Sequence, residues 1–314
     1  MRPIEFMMTT TESDISKPSL LYLDAEQKNY SLCKAADIFS AETMLSDDGV
    51  PLSVYQTGNP ANPTVVLINP LGMPFLFMTK LAASLATDYH VITWEGRGLS
   101  HTADLGTLNS SDAPLAVHCR DLIAILQKKN LRSSAIVSFC SGASIAVYGL
   151  AHGLFETERL CLVSPSLEIS NAGKRTDYQR SVLPLWRRIA KEGIRTAALV
   201  RTLLQQSTNA FESKIDEELA VINNLPFQSN EMTFLYAQLQ AHSMAYDFAP
   251  FLAKIPTPTM VLHTESDDMI HVDTVSAIAN ALPNSQLEWI LDGGHFAIYK
   301  NQAMQEKILQ FLRT

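Results

Sequence analysis

The stretch "SFCSGA", residues 138–143, sets Cys140 between the apolar run "SSAIV" and the alanine-rich "SIAVYGLAHG". A nucleophile on a sharp strand-to-helix turn sits at strained backbone angles, and bulky side chains two residues before or after it would collide. Ser138 and Gly142 occupy those two positions. Shifting the frame by one, to make Ser141 the nucleophile, would put Phe139 in a crowded position, so the spacing favours Cys140. The turn also aims the thiol near the positive end of the following helix, where a thiolate is stabilised. Such a thiol needs a base, and the base needs a group to orient it. "DGGHF" supplies His295 on a glycine-rich loop, and "TESDDMI" supplies Asp267 and Asp268.

Elements that could hold these residues are readable on both sides of them. "AETMLSDDGVPLSVYQTG" reads as a hairpin turning at Asp48-Gly49. After it, "PTVVLINP", "YHVITWEG", "SSAIVSFC" and "RLCLVSPS" are short β-branched runs separated by helical stretches, the pattern of a mostly parallel sheet covered on both faces. Residues 168–253 carry helical patterns only, and strands resume at "TPTMVLHTESDD" and "QLEWILDGGHF" before a closing helix. The expected organisation is an N-terminal extension over 1–40, with a short helix near "EQKNYSLCKAADIF", an α/β core over 41–167 and 254–314, and a helical cap over 168–253.

With "SFCSG", "LHTESDDMI" and "DGGHF" in that order, and "WEGRG" as a turn after the fourth strand, residues 41–314 resemble the α/β-hydrolase fold family. The resemblance implies Cys140 as nucleophile, His295 as base and Asp267 as acid, with Asp268 and then Glu168 as alternatives. It implies an oxyanion hole from the Ser141 N–H and one N–H of "NPLGM", that of Leu71. Two departures stand out: Thr264 where the family often has glycine, and Asn69-Pro70 in place of a frequent His-Gly.

Composition narrows the function. A net charge of −8 argues against a duplex nucleic-acid binder. No apolar run is long enough to span a bilayer and the start lacks a secretory core, so a cytoplasmic location is expected. Four cysteines in 314 residues read neither as a disulfide framework nor as metal ligands, and Cys33, Cys119 and Cys161 read as buried thiols. "HTESDDMIHVD" gathers His263 and His271 with three aspartates, which a strand end followed by a helix start explains without a metal. "EGRG" lacks the third glycine of a dinucleotide fingerprint. No metal or cofactor is expected.

Residues 171–201 hold eight basic side chains against two acidic ones. A solvated helical face is the first reading; the alternative is a landing surface for an acidic partner, an acyl carrier protein or the phosphates of coenzyme A, with Arg187 and Arg188 as its candidate contacts. The cap is rich in Trp186, Phe211, Met232, Phe234, Tyr236, Met244 and Tyr246; most of these are expected in the core, yet a cap of this composition could line an apolar acyl pocket. A thiol nucleophile gives a thioester, which is open to several acceptors, so thioester substrates and acyl transfer suit it. Within the family a cysteine here is similar to that of dienelactone hydrolases, polyhydroxyalkanoate synthases and some thioesterases and acyltransferases of polyketide and nonribosomal peptide assembly. The expectation is an acyl-transfer enzyme, a thioesterase or acyltransferase. A carrier-independent ester or lactone hydrolase is the alternative, and a ligand-binding protein on a hydrolase scaffold is the alternative of another class.

Overall fold

In the computed structural model, residues 38–99, 114–170, 174–212 and 217–314 are described. Most of the expected N-terminal extension, with its short helix, lies outside them. The first hairpin joins β1 (Ser40–Leu45) to β2 (Pro51–Thr57) through a turn in which Gly49 has φ +81°. Then come β3 (Thr64–Ile68), α1 (Thr79–Leu85), β4 (His90–Trp94), α2 (Pro114–Lys128), β5 (Ser133–Phe139), α3 (Gly142–Ala151) and β6 (Arg159–Val163). Five helices follow: α4 (Asp177–Glu192), α5 (Ile194–Glu212), α6 (Glu217–Asn224), α7 (Asn230–Ser243) and α8 (Ala249–Leu252). The chain returns to the sheet with β7 (Thr259–Thr264), α9 (Val272–Ala281), β8 (Ser285–Ile290), α10 (Ala297–Lys300) and α11 (Gln302–Arg313).

The eight strands form one sheet in the order β1-β2-β4-β3-β5-β6-β7-β8. Only β2 runs against the rest, because it pairs antiparallel with both β1 and β4 while all other neighbours are parallel. The central strands are buried on both faces, which is why they read as continuous apolar runs. Their side chains still alternate. Val137, Phe139, Cys161 and Val163 point into a core with Phe77 and Ile308, while Ile136, Leu160 and Leu162 point into the opposite core with Leu122 and Ile278. Cys161 is thus a core side chain, as is Cys119, whose thiol lies 3.5 Å from the Ile145 carbonyl; burial pushes both thiols up, Cys119 to about 12.

Helices α4, α5 and α7 share a third, smaller core of Trp186, Ile189, Ala197, Val200 and Ala237. Its start is sharply specified. Thr176 and Gln179 form a reciprocal capping box on α4, and Gly193 at φ +93° ends the helix and turns the chain directly into α5.

The "WEGRG" turn carries a buried ion network that sequence reasoning did not anticipate. Arg97 reaches Asp121 on α2 through Nε at 2.8 Å and Nη2 at 2.6 Å, and Asp48 in the hairpin turn through Nη1 at 2.6 Å and Nη2 at 2.7 Å. The turn therefore pins the hairpin to α2. The guanidinium holds the Asp48 carboxyl well below the usual carboxylate range.

Candidate active site

Parallel strands end together, and the loops beyond β3, β5, β7 and β8 bring the candidate residues into one place. Cys140 follows β5 with φ +51°, a left-handed conformation that costs energy for any residue but glycine. Neighbours over-determine it. Its N–H donates to the Val163 carbonyl at 3.0 Å, and its own carbonyl accepts from Ser166 at 3.1 Å and Ala143 at 3.2 Å. The small flanking residues are sterically required at Gly142, where a Cβ would lie 2.6 Å from the Asn69 carbonyl oxygen and 2.7 Å from that of Ile68. Ser138 is fully buried beneath the turn.

His295 sits on the loop after β8, where Gly293 and Gly294 take φ +126° and +62°. Thr264 at the end of β7 donates to the Gly294 carbonyl at 2.9 Å, and Gly294 N–H donates to Ser266 Oγ at 3.1 Å, so the loop is fastened to the neighbouring strand. The Thr264 that replaces a family glycine has this role. The imidazole packs against Phe139 and Phe296, its Nδ1 lies 2.8 Å from Asp267 Oδ2, and it shares the cavity wall with Cys140. Burial alone would lower the His295 pKa, but the Asp267 carboxylate and Cys140 outweigh it and raise it well above the usual histidine value.

Asp267 is held from its other side by the N–H groups of Met269 at 2.8 Å and Ile270 at 2.9 Å, both to Oδ1. Burial raises its pKa, and the charge and hydrogen bond of His295, with His263 and the Ile270 N–H, more than reverse this and hold it at about 2. The two alternative acids stand elsewhere: Asp268 is exposed, and Glu168 pairs with Arg175 at 2.7 Å.

The two expected oxyanion residues, Ser141 and Leu71, lie side by side next to Cys140. Leu71 N–H already donates to Ser141 Oγ at 3.0 Å. The loop that carries it is fixed from α7, where Gln240 Nε2 donates to the Leu71 carbonyl at 2.9 Å. A substrate oxygen would have to replace the Ser141 hydroxyl as acceptor of the Leu71 N–H.

Cys140, Ser141 and His295 open onto a cavity of about 110 Å³. Met73 and Phe77 form its core side, and Tyr178, Trp186, Phe227 and Tyr236 form its helical side. Trp186 stacks on Phe227 at 5.8 Å and meets Tyr236 edge-on at 5.1 Å, so the wall is rigid and aromatic. Of the cap aromatics and methionines singled out in the sequence, Trp186, Tyr236 and Met244 line this cavity.

Sequence reasoning missed two residues here, Tyr178 and His263. Tyr178 faces the cavity beside Tyr236, and burial pushes both phenols up. His263, set aside as part of a strand end, is fully buried, with Nδ1 3.0 Å from Ser164 Oγ and 3.5 Å from Asp267 Oδ2. Burial lowers its pKa, opposed by the Asp267 carboxylate beside it. Its position four residues before Asp267 was the one available signal.

The basic stretch on the helices is less bare than its sequence suggests. Lys174 pairs with Asp273 at 3.2 Å, Arg175 with Glu168, Arg180 with Asp177, and Arg188 with Glu192 at 2.9 Å. Arg187 is exposed, with no ion pair among the described residues. Among those residues, no group of three or more His, Cys, Asp or Glu side chains is arranged to hold a metal ion, and no helix is long and apolar enough to cross a membrane.

Residues 65–306 match the alpha/beta hydrolase family. The chain belongs to it. This alpha/beta hydrolase is thus an enzyme of hydrolase type. Solved structures of the same fold include a bacterial membrane phospholipase A, at 16% identity and TM-score 0.69 over 92% of this chain and 90% of that one. An enol-lactonase from Burkholderia xenovorans LB400 is similar at 17% identity and TM-score 0.66 over 87% and 100% of the two chains. The esterase RhEst1 from Rhodococcus sp. ECU1013 is similar at 19% and 0.63 over 87% and 98%. At these identities the likeness is one of fold, and the hydrolase keeps its own site chemistry.

Proposed function

We propose that this alpha/beta hydrolase cleaves carboxylic esters or lactones with an apolar acyl part, through a thioester on Cys140. The observation that carries the reading is the strained Cys140 turn, which shares the wall of an aromatic cavity with a His295 that Asp267 orients. The Cys140 proton passes to His295, and the sulfur adds to the acyl carbon. The oxyanion that forms is received by the Ser141 N–H, with the Leu71 N–H once it leaves the Ser141 hydroxyl. As the carbon–oxygen bond breaks, His295 returns its proton to the leaving alkoxide. Water then gives a proton to His295 and its oxygen to the acyl carbon, and the thiol is regenerated with release of the acid.

Transfer to another acceptor, as in a thioesterase or acyltransferase served by an acyl carrier protein or coenzyme A, is the second reading. The thiol supports it, since exchange between thioesters is nearly balanced in energy. Four neutralised cations on the helices weaken the docking surface it needs. Ester hydrolysis therefore leads.

Intact-protein mass spectrometry after incubation with a panel of activated esters, lactones and acyl thioesters tests both readings. A covalent adduct on Cys140 that forms faster from esters than from thioesters and clears by hydrolysis supports the first. Clearance only when an amine, alcohol or thiol acceptor is added supports the second. Full turnover by Cys140→Ala would sink both.

A further inference from the structure

Helix α4 has two faces with different tasks. Tyr178, Val182 and Trp186, at successive four-residue spacings, line the cavity. On its other side Arg187 and Lys191 are exposed, again four apart, and neither has an ion pair among the described residues. Gly193 turns the chain, and α5 exposes Arg195, Leu199 and Leu203 four residues apart on its own outer face. Leu199 is 69% and Leu203 64% exposed, and Ile194 at the turn is 40% exposed. The inner face of α5 is buried through Ala197 and Val200, so these leucines are not a loosely packed core.

Large leucines held out in water beside three unpaired cations are an unusual surface for a chain of net charge −8. The general field of the protein repels an anionic surface, and this patch is a local exception that would fix one orientation against it. Exposed arginine and lysine at the α4–α5 turn with exposed leucines further along α5 match the boundary of an anionic lipid layer, where headgroups take the cations and acyl chains take the leucines. An acidic protein would satisfy the cations and leave the leucines without a use.

We propose that exposed Arg187, Lys191, Arg195, Leu199 and Leu203 form a docking surface for anionic lipid bilayers or aggregates. Docking there puts the cavity wall and the lipid on opposite faces of one helix. Resting on the ester-hydrolase reading, this makes acyl esters dissolved in a lipid phase the substrate class.

The test uses the full chain as Cys140→Ala, so that binding is read without chemistry. Flotation is measured with phosphatidylcholine vesicles and with vesicles containing about one-third phosphatidylglycerol. The expected result is binding to the anionic vesicles about tenfold or more above the neutral ones, falling as salt rises. Leu199→Ser with Leu203→Ser, and separately Arg187→Glu with Lys191→Glu and Arg195→Glu, should each weaken it about tenfold or more. In the chain with Cys140 intact, both sets should hydrolyse a short water-soluble ester within about twofold of the parent, which also shows that they fold. Absence of binding to anionic vesicles overturns the proposal. So does binding that follows the charge reversals and ignores the leucine changes, the signature of an acidic protein partner. A failed ester assay alongside intact vesicle binding would reject the hydrolase reading and leave the docking surface standing.

Discussion

Asp121 and Asp267 are both buried acids, and each is answered by one basic side chain, yet the two pairs do opposite things. Asp121 meets Arg97 through two parallel hydrogen bonds in a closed interior, and the guanidinium cannot give up its proton. Asp267 meets an imidazole that can, and the second side of that imidazole faces Cys140 at a cavity. What separates a brace from a proton carrier is the titratable partner and the open wall behind it, not the depth at which the acid is buried.

The sharpest way to break this comparison is Cys140→Ala. It should lower ester turnover by about 10⁴-fold or more while leaving the melting temperature nearly unchanged, because the catalytic pair is not what holds the fold. Measured turnover and calorimetry on one sample check both halves. Arg97→Met should do the reverse. It strands the fully buried Asp121 and should cost about 3–5 kcal/mol of stability in denaturant melts. The folded fraction should keep its rate per active site, as counted by acyl-enzyme mass.

A smaller effect follows from Asp267. Its pKa is depressed, so the stability it contributes is present above the unfolded value of about 4 and is lost as pH falls through the folded value. Going from 3.8 to about 2 corresponds to about 2 kcal/mol, disappearing between those pH values. Asp267→Asn should flatten this part of the stability curve. A curve with the same slope in both proteins would mean that another acid carries it. The smallest effect is expected at His263. His263→Leu removes the hydrogen bond with Ser164 and the contact with Asp267, and kcat should fall about tenfold with KM unchanged, the size of one hydrogen bond.

Local rules made much of the site readable. Cys140, Gly142 and the order of Asp267 and His295 follow from a turn that tolerates only small neighbours and from strands with an apolar signature. The β-hairpin and the return of the strands after the helices were legible for the same reason. Other features depend on which surfaces meet. Tyr178 reaches the cavity because α4 folds over it, and nothing in its own segment announces this. Lys174 loses its free charge to Asp273, remote in sequence, whereas Arg188 and Glu192 are four apart on one helix and could have been paired at sight. The engagement of Leu71 N–H by Ser141 is likewise a contact between two loops, read only in three dimensions.

The hydrogen bond from Gln240 to the Leu71 carbonyl ties the roof of the pocket to the floor of the reaction. That peptide group faces the roof with its oxygen and points the neighbouring N–H at Ser141. A shift of α7 therefore pulls on the Leu71 peptide, so in the proposed mechanism the opening of the roof and the aim of the Leu71 N–H are coupled.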